Sequence, residues 1–458
     1  MIVMKLGGSS VGDPAGIARA IGLVRRELDR RPLVVVSALA KTTRHLLAAG
    51  EAAAAGDLSL ARESAARLRS FHERAAQPVV PAGSLDAAFA ERFAALDAAL
   101  AAIHADRGAA RALDPRSADL VASFGELLSS AILVQALLHA GVDAAWLDCR
   151  RVLVTDDLFT RANPDYAATG ARLAAAAAPL LAQSRVPVVG GYVGATAEGI
   201  TTTLGKEGSD FSAAIFGAAL GAEEVQLWTD VDGILTADPA LVPAARPIAE
   251  LTFAEALELA CSGSKKPHPG TLGPASRHGV PIRVLNSRHP EAPGTRIGPL
   301  VPGAGGAAPA IRSIACRRHD HLLYAMPGAA GAGNGFFPAV YDRCADLRPA
   351  LMVLGATEAG VPLALDRADR LAEVRAALAR TAEVGVLPGR TVVSIIAEDL
   401  ATCPALAARA LAAAAEFEPR LVVAGVAAPC VRFLVGDRDA AAAVAAVHGK
   451  LFEEGNVR

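Results

Sequence analysis

The sequence predicts an α/β protein: a large domain on a mostly parallel sheet covered on both faces, followed by two smaller α+β units of βαββαβ order. Three observations carry that expectation. Near-continuous apolar runs such as PLVVVS at residues 32–37 and VPVVGG at 186–191 read as strands buried on both faces. They alternate with Ala, Leu, Arg and Glu segments at helical spacing, the βα repetition that builds a parallel sheet. Beyond the stretch PLVPGAGGAAPA at residues 299–310, a Pro/Gly/Ala linker, the spacing changes and a unit of roughly 70 residues recurs weakly.

Composition excludes several classes. A chain of 458 residues exceeds one typical domain and can bury a large core. The net charge of −2, with charges interspersed, points to no nucleic acid and no membrane surface as partner. Aromatic residues at 4% leave few platforms for stacking bases. The six cysteines are scattered without CxxC or Cys/His clustering, as expected of reduced thiols in a cytosolic protein, and no metal-ligand set is seen. No uncharged apolar run approaches the ~20 residues of a membrane helix, so a soluble, cytoplasmic protein is expected. Of 45 basic residues only six are lysine, so each lysine invites a reason.

In chain order, residues 2–6 form a short apolar strand ending in Gly7-Gly8-Ser9-Ser10, and Asp13-Pro14 then starts a helix as N-cap and N1. Successive glycines let backbone N–H groups approach a phosphate, with Lys5 at the strand's end. After the strand at 32–37, a polar loop at 38–44 carries Thr42 and Thr43 where open α/β sheets bind ligands. Three or four helices follow between 45 and 139. The last contains SFGELLSS, in which Gly125 costs helix stability of roughly 1 kcal/mol and so suggests a ligand or a close neighbour beside Glu126.

Strands are expected at 144–147, 152–154 and 186–191, with a helix at 167–183. Residues 201–239 then give a threonine run, a Gly-bounded loop closed by Ser209-Asp210, a helix, the strand EVQLWT and an acidic turn. A helix N-terminus after such a loop suits phosphate or carboxylate, although an ordinary βαβ crossover has the same composition. A helix at 252–261, the loop SGSKKPHP and a last strand at 281–285 complete the large domain.

Lys5, Lys206 and Lys265 thus lie on glycine-rich loops at strand or helix ends, together with Asp210, Asp230 and Asp232. Several cations around one anionic locus suit phosphoryl transfer. No base is needed if the acceptor is already a carboxylate.

Six ordered motifs carry a resemblance to the aspartate kinases of the amino acid kinase superfamily. KLGGSSV at 5–11 resembles KFGGTSV, SALAKTT at 37–43 resembles the family's SAxxxxT loop, and GSKKPHP at 263–269 resembles GAKVLHP. SFGELLSS at 123–130, TTTLGKEGSD at 201–210 and WTDVDGILTADP at 228–239 lie between. The match spans residues 2–297. TEAGVPLALD at 357–366 is similar to SEVSVSLTLD of the paired ACT domains such enzymes carry.

The resemblance implies a three-layer amino acid kinase fold over 1–298, with a helical substrate-side subdomain at about 44–140, and ACT-like domains at 311–385 and 386–458. It implies ATP-dependent phosphorylation of the aspartate side chain to 4-phospho-L-aspartate. Lys5 and Lys265 would contact the ATP phosphates and act in catalysis, with Asp210 orienting the lysines. Gly7, Gly8 and Ser9 would cradle the transferring group, and Thr229 and Asp230 would hold the nucleotide. Thr43, Glu126, Lys206 and Ser209 would bind the amino acid, Glu126 through its α-ammonium. Mg²⁺ would arrive with ATP, an amino-acid effector would bind the ACT domains, and these would pair into a homodimer or larger.

The chain departs from the pattern in identifiable places. Lys206-Glu207 replaces Arg-Gly of the family's GRGGSD, and an ammonium cannot grip a carboxylate bidentately as a guanidinium does. Lys266-Pro267 replaces Val-Leu, and Met352 and Cys430 replace an aspartate and an asparagine of the effector sites. A kinase for another amino-acid carboxylate and a weakly active regulatory paralogue are the alternatives these departures raise.

Overall fold

The structure, a computed structural model, describes residues 1–106, 111–264, 266–299, 310–328, 335–344, 351–355, 360–366, 368–379, 381–397, 400, 403–424 and 429–453. The chain divides into two compact units. The first comprises Met1–Ile234, Pro247–Phe253 and Lys266–Leu300, and the second Leu235–Arg246, Ala254–Lys265 and Val301–Arg458.

In order, the first part of the chain forms β1 (Ile2–Leu6), α1 (Pro14–Arg26), β2 (Pro32–Val36), α2 (Thr42–Ala55), α3 (Leu58–Ala76), α4 (Asp86–Ala105) and α5 (Pro115–His139). Next come β3 (Ala144–Leu147), α6 (Cys149–Val152), α7 (Tyr166–Ala182), β4 (Val186–Gly190), β5 (Val193–Ala195), β6 (Thr201–Thr203), α8 (Gly208–Ala219) and β7 (Val225–Thr229). After β8 (Glu250–Leu251) and α9 (Phe253–Cys261), most of which belongs to the second unit, α10 (Pro269–His278), β9 (Ile282–Asn286) and β10 (Thr295–Ile297) complete the first.

Eight strands form one sheet in the order β3-β4-β2-β1-β7-β9-β10-β8. Every pair is parallel except β9 with β10. Strand parity decides what each side chain of β1 meets. Ile2, Met4 and Leu6 enter a cluster with Ile17 and Val24 of α1 and Leu128 and Ile132 of α5. Val3 and Lys5 therefore point to the other face, where α8 packs on β1.

Several expected boundaries differ. Asp13 caps α1 as the Asp13-Pro14 pair predicts, accepting from the Gly16 N–H at 2.6 Å. Thr42 and Thr43 lie in the first turn of α2 rather than in a loop. Of the strand expected at 152–154, Val152 ends the helical turn α6, whose N-cap Asp148 accepts from the Arg150 N–H, and Val154 makes an isolated bridge to Ala195. The strand at 281–285 is not the last, because β10 returns antiparallel to it. Helix α5 is long and apolar enough to span a bilayer by length and composition, yet 89% of that window is buried in protein, which makes it a core helix here.

The second unit contains β11 (Ser313–Arg318), β12 (His321–Pro327), α11 (Phe336–Arg343), β13 (Leu351–Val353), β14 (Val361–Leu365), α12 (Leu371–Leu378) and β15 (Ala382–Leu387). It continues with β16 (Arg390–Ile396), α13 (Pro404–Ala414), β17 (Arg420–Ala424), β18 (Cys430–Gly436) and α14 (Ala440–His448). Two four-stranded sheets result, β13-β14-β12-β15 and β11-β16-β18-β17. The first is a βαββαβ unit over residues 321–387. The second borrows β11, paired antiparallel with β16 from Ser313↔Ile396 to Arg318↔Thr391, as its fourth strand. The two units are thus interleaved rather than consecutive at 311–385 and 386–458, because strand pairing joins segments far apart in sequence. All but the ends of the 299–310 linker lies outside the described residues.

Candidate active site

Lys5 is only 4% exposed in a strand whose other members are fully buried. An isolated ammonium there would cost several kcal/mol. Its position requires a partner, and α8 supplies one: Asp210, 1% exposed, lies 2.5 Å from the Lys5 Nζ. The other carboxylate oxygen of Asp210 lies 3.6 Å from the Lys266 Nζ. Burial pushes the Asp210 carboxyl up, but the two ammonium groups outweigh it and hold it below the usual range. Burial likewise opposes the charge on Lys266, and Asp210 and Glu207 reverse that, leaving it raised.

Asp210 sits in the first turn of α8, and the N-cap side chain, Glu207, makes no capping hydrogen bond. The N-cap of α2, Lys41, makes none either. Both helices present their first-turn residues, Thr43 and Gly208-Ser209, to one cleft of about 590 Å³. Two helix starts without side-chain caps favour negative charge between them.

The same cleft is lined by Glu126, from the middle of α5 and 3% exposed. Its Oε1 accepts from the Ala38 N–H at 3.1 Å, and its Oε2 has no protein partner. Burial raises the carboxyl to about 8, with the Ala38 N–H and the field of Lys5 acting against that rise. Glycines make room for this approach. A Cβ on Gly125 would lie 2.8 Å from the Ala38 Cβ, and one on Gly190 would lie 2.9 Å from the Glu126 Cβ. The neighbour that Gly125 admits is therefore the loop after β2.

Of the residues singled out in the sequence, Lys5, Gly7, Gly8 and Ser9 line the cleft, as do Thr43, Glu126, Lys206, Ser209 and Thr229. Asp210 lies directly beneath. The Gly7 N–H donates to the Trp228 carbonyl at 3.1 Å, which corrects the expectation that it cradles a ligand; the cradle is left to Gly8 and Ser9. Asp230 is exposed and accepts from the Thr229 hydroxyl at 3.1 Å, outside the cleft lining. Asp232 accepts from the Asn286 amide at 2.6 Å and lies 3.0 Å from His289, also away from the lysines. Lys265 lies outside the described residues.

Sequence reasoning missed Thr160 and Tyr192 on the cleft wall and Asp119 behind it. Asp119, 1% exposed, accepts from the Thr160 N–H and the Thr203 N–H at 2.9 Å each and from the Thr203 hydroxyl at 2.5 Å. It lies two helical turns before Glu126, and that spacing on one face of α5 was the available signal. Asp119→Ala leaves two backbone donors without an acceptor, a loss of about 1–3 kcal/mol each. The expected outcome is a lower melting temperature and a higher KM, as Thr160 loses its tether. Asp119→Asn should be far milder, because the Thr203 hydroxyl can accept from the new amide; equal losses in both would refute this role.

Comparison with known proteins bears on the chain as a whole. A family model described as the amino acid kinase family matches residues 1–286. The lysine-sensitive aspartokinase 3 of Escherichia coli is 33% identical over 462 residues, covering 99% of this chain and 99% of its own. The chain belongs to the aspartokinase family. Aspartokinase 1 of Arabidopsis thaliana chloroplasts is 30% identical, covering 99% of this chain and 81% of its own. Among solved structures, E. coli aspartokinase III with aspartate and ADP, described as the R-state, superposes on this aspartokinase-family chain with a TM-score of 0.85 at 31% identity. That match covers 99% of this chain and 100% of the other. The same enzyme with lysine and aspartate, the T-state, gives 0.80 over the same shares. The amino acid kinase fold, with its mostly parallel sheet followed by two ACT-like sheets, is shared along the whole length.

Proposed function

We infer that this protein is an ATP-dependent aspartate kinase, converting L-aspartate to 4-phospho-L-aspartate in the route to lysine, threonine and methionine. The observation that carries the reading is the polarity of the cleft. The cleft is lined both by a buried carboxyl with an unpartnered oxygen, Glu126, and by two ammonium groups on Asp210, those of Lys5 and Lys266. An amino acid offers an ammonium to the first, and a nucleotide offers phosphates to the second.

In the reaction an oxygen of the substrate's side-chain carboxylate attacks the γ-phosphorus of ATP. A new P–O bond forms as the bond to the bridging oxygen of ADP breaks, and no proton moves. Catalysis then rests on positioning and on cations facing the phosphoryl oxygens. Lys5 would meet those oxygens, Asp210 would orient it, and the N–H groups of Gly8 and Ser9 would cradle the group. Glu126 would pair with the α-ammonium, while Lys206, Thr43 and Ser209 would face the carboxylates. Mg²⁺ fits as a partner of the nucleotide rather than of a protein carboxylate, since Asp210 is already engaged by two lysines. When bound it would neutralise phosphate charge. Lys265 and Asp230 remain proposed nucleotide contacts, an amino-acid effector is proposed for the C-terminal sheets, and the protein is proposed to be cytoplasmic and homodimeric or larger.

The test is a panel of amino acids with coupled ADP release and hydroxamate trapping of the acyl phosphate. Aspartate should be the preferred acceptor. No turnover of aspartate at millimolar concentration would sink the reading. Because Lys206 stands where a bidentate arginine would grip, Lys206→Arg should lower the KM for aspartate rather than raise it.

A further inference from the structure

One cleft residue, Glu207, has no part in the mechanism above, and Lys266 enters it only as the second ammonium group on Asp210. Glu207 holds a backbone φ of 56°, in the left-handed region that disfavours residues with a Cβ. It also puts a negative charge beside the place where anions must bind, and its side chain does not cap α8. Each of these is unfavourable alone. What they accompany is an ion pair: a Glu207 carboxylate oxygen lies 3.4 Å from the Lys266 Nζ. Glu207 and Lys266 are both departures from the family pattern, in motifs 59 positions apart, and the fold brings the two together.

Lys266 is thereby held between two carboxylates, Asp210 at 3.6 Å and Glu207 at 3.4 Å. An alternating row of charges, Lys5, Asp210, Lys266, Glu207, runs along the cleft. The two carboxylates that flank Lys266 differ in accessibility: the Asp210 side chain is 1% exposed, that of Glu207 33%. An incoming phosphate can displace the outer carboxylate into solvent, and the inner one cannot leave.

We propose that Lys266 is a contact for the transferring phosphoryl group and that Glu207 is its positioning residue, holding the ammonium over the cleft until the nucleotide's γ-phosphate replaces it. The inference rests on the nucleotide-kinase reading of the cleft. It adds a catalytic cation that the family resemblance does not supply.

The test compares binding of ADP and of β,γ-imido-ATP by calorimetry, alongside turnover. Lys266→Met should weaken β,γ-imido-ATP roughly tenfold while leaving ADP within about twofold, because the contact is to the γ-phosphate. It should lower kcat by roughly 10²-fold, with partial rescue in Lys266→Arg; the protein should stay folded but melt somewhat lower, since Asp210 and Glu207 each lose a cation. Glu207→Gln should change the KM for ATP severalfold with kcat little altered, and that effect should vanish in the Lys266→Met background, since Glu207 acts through Lys266 before the nucleotide binds. Unchanged affinities and kcat in Lys266→Met overturn the proposal, as does a Glu207→Gln effect that persists without Lys266. A parent protein that binds neither nucleotide removes the kinase reading itself and the inference with it, an outcome seen before any variant is made.

Discussion

Lys5→Met should reduce kcat by roughly 10² to 10³ while the protein stays folded. The methionine stem fills the volume of the lysine stem, and Lys266 remains near the other oxygen of Asp210 to compensate its charge. Lys5→Ala should do more: both variants leave Asp210 without its nearest cation, and the alanine also gives up the packing of the stem, so its stability should fall by about 3–5 kcal/mol in total. Lys5→Arg should rescue poorly, because a guanidinium is wider than the nearly closed space around this side chain. The pH signature follows from Asp210. Its folded-state pKa is depressed, so the pair contributes stability that is present above the unfolded value of 3.8 and is lost as pH falls through the folded one. Without Lys5 that depression shrinks, and acid unfolding of the methionine variant should begin at higher pH than in the parent. Coupled ADP release and melting curves at pH 3–7 would check both halves; wild-type turnover in Lys5→Met would remove Lys5 from the chemistry.

The features legible in the sequence are those whose cause is local. An apolar strand interrupted by one lysine, glycines at strand ends and Asp13 before Pro14 all have their reason within a few residues. They yielded β1, its turn and the start of α1. Helix α10 was not legible because PGTLGPASRH carries two prolines and two glycines that argue against a helix. Packing of α10 against α8 overrides that preference, with His268 as N-cap and Pro269 at N1, where a proline is tolerated. The exchange of β11 into the second small sheet depends on hydrogen bonds across about 80 residues, and no periodicity encodes which edge a strand joins.

The site divides along the same line. Lys5, Asp210 and Glu126 stand in motifs whose residue types state their chemistry. Asp119, Thr160 and Tyr192 matter through one another: the Asp119 carboxylate bonds the backbone of Thr160 and Thr203, and Tyr192 shares a side-chain hydrogen bond with Thr203 that opposes the upward push of burial to about 12. Read singly in sequence, each is an ordinary polar residue. Lys266 was noted only as a replacement, since nothing in KKP tells which ammonium faces a carboxylate until α8 is in place.

Glu126→Gln should separate stability from function in one substitution. The carboxyl is buried, and its folded value of about 8 stands well above the ordinary 4.5. Between those values the native state binds more protons than the unfolded chain, so stability falls as pH rises from 4.5 to 8. At pH 7 the penalty is roughly 3 kcal/mol. Glutamine keeps the shape and can still accept the Ala38 N–H while carrying no charge to bury. The variant should therefore melt higher at pH 7, by roughly 5 °C, and lose the decline in stability towards pH 8. Function moves the other way. A charge-assisted bond to the substrate ammonium is worth about 1.5–3 kcal/mol, so the KM for aspartate should rise roughly 10- to 100-fold. In the parent, KM should fall as pH rises towards 8, because only the ionised carboxylate attracts the ammonium; in the variant that dependence should be absent. KM profiles from pH 6 to 9 with melting curves at the same points decide it. A variant with unchanged KM would mean that the unpartnered Oε2 faces something other than the amino acid.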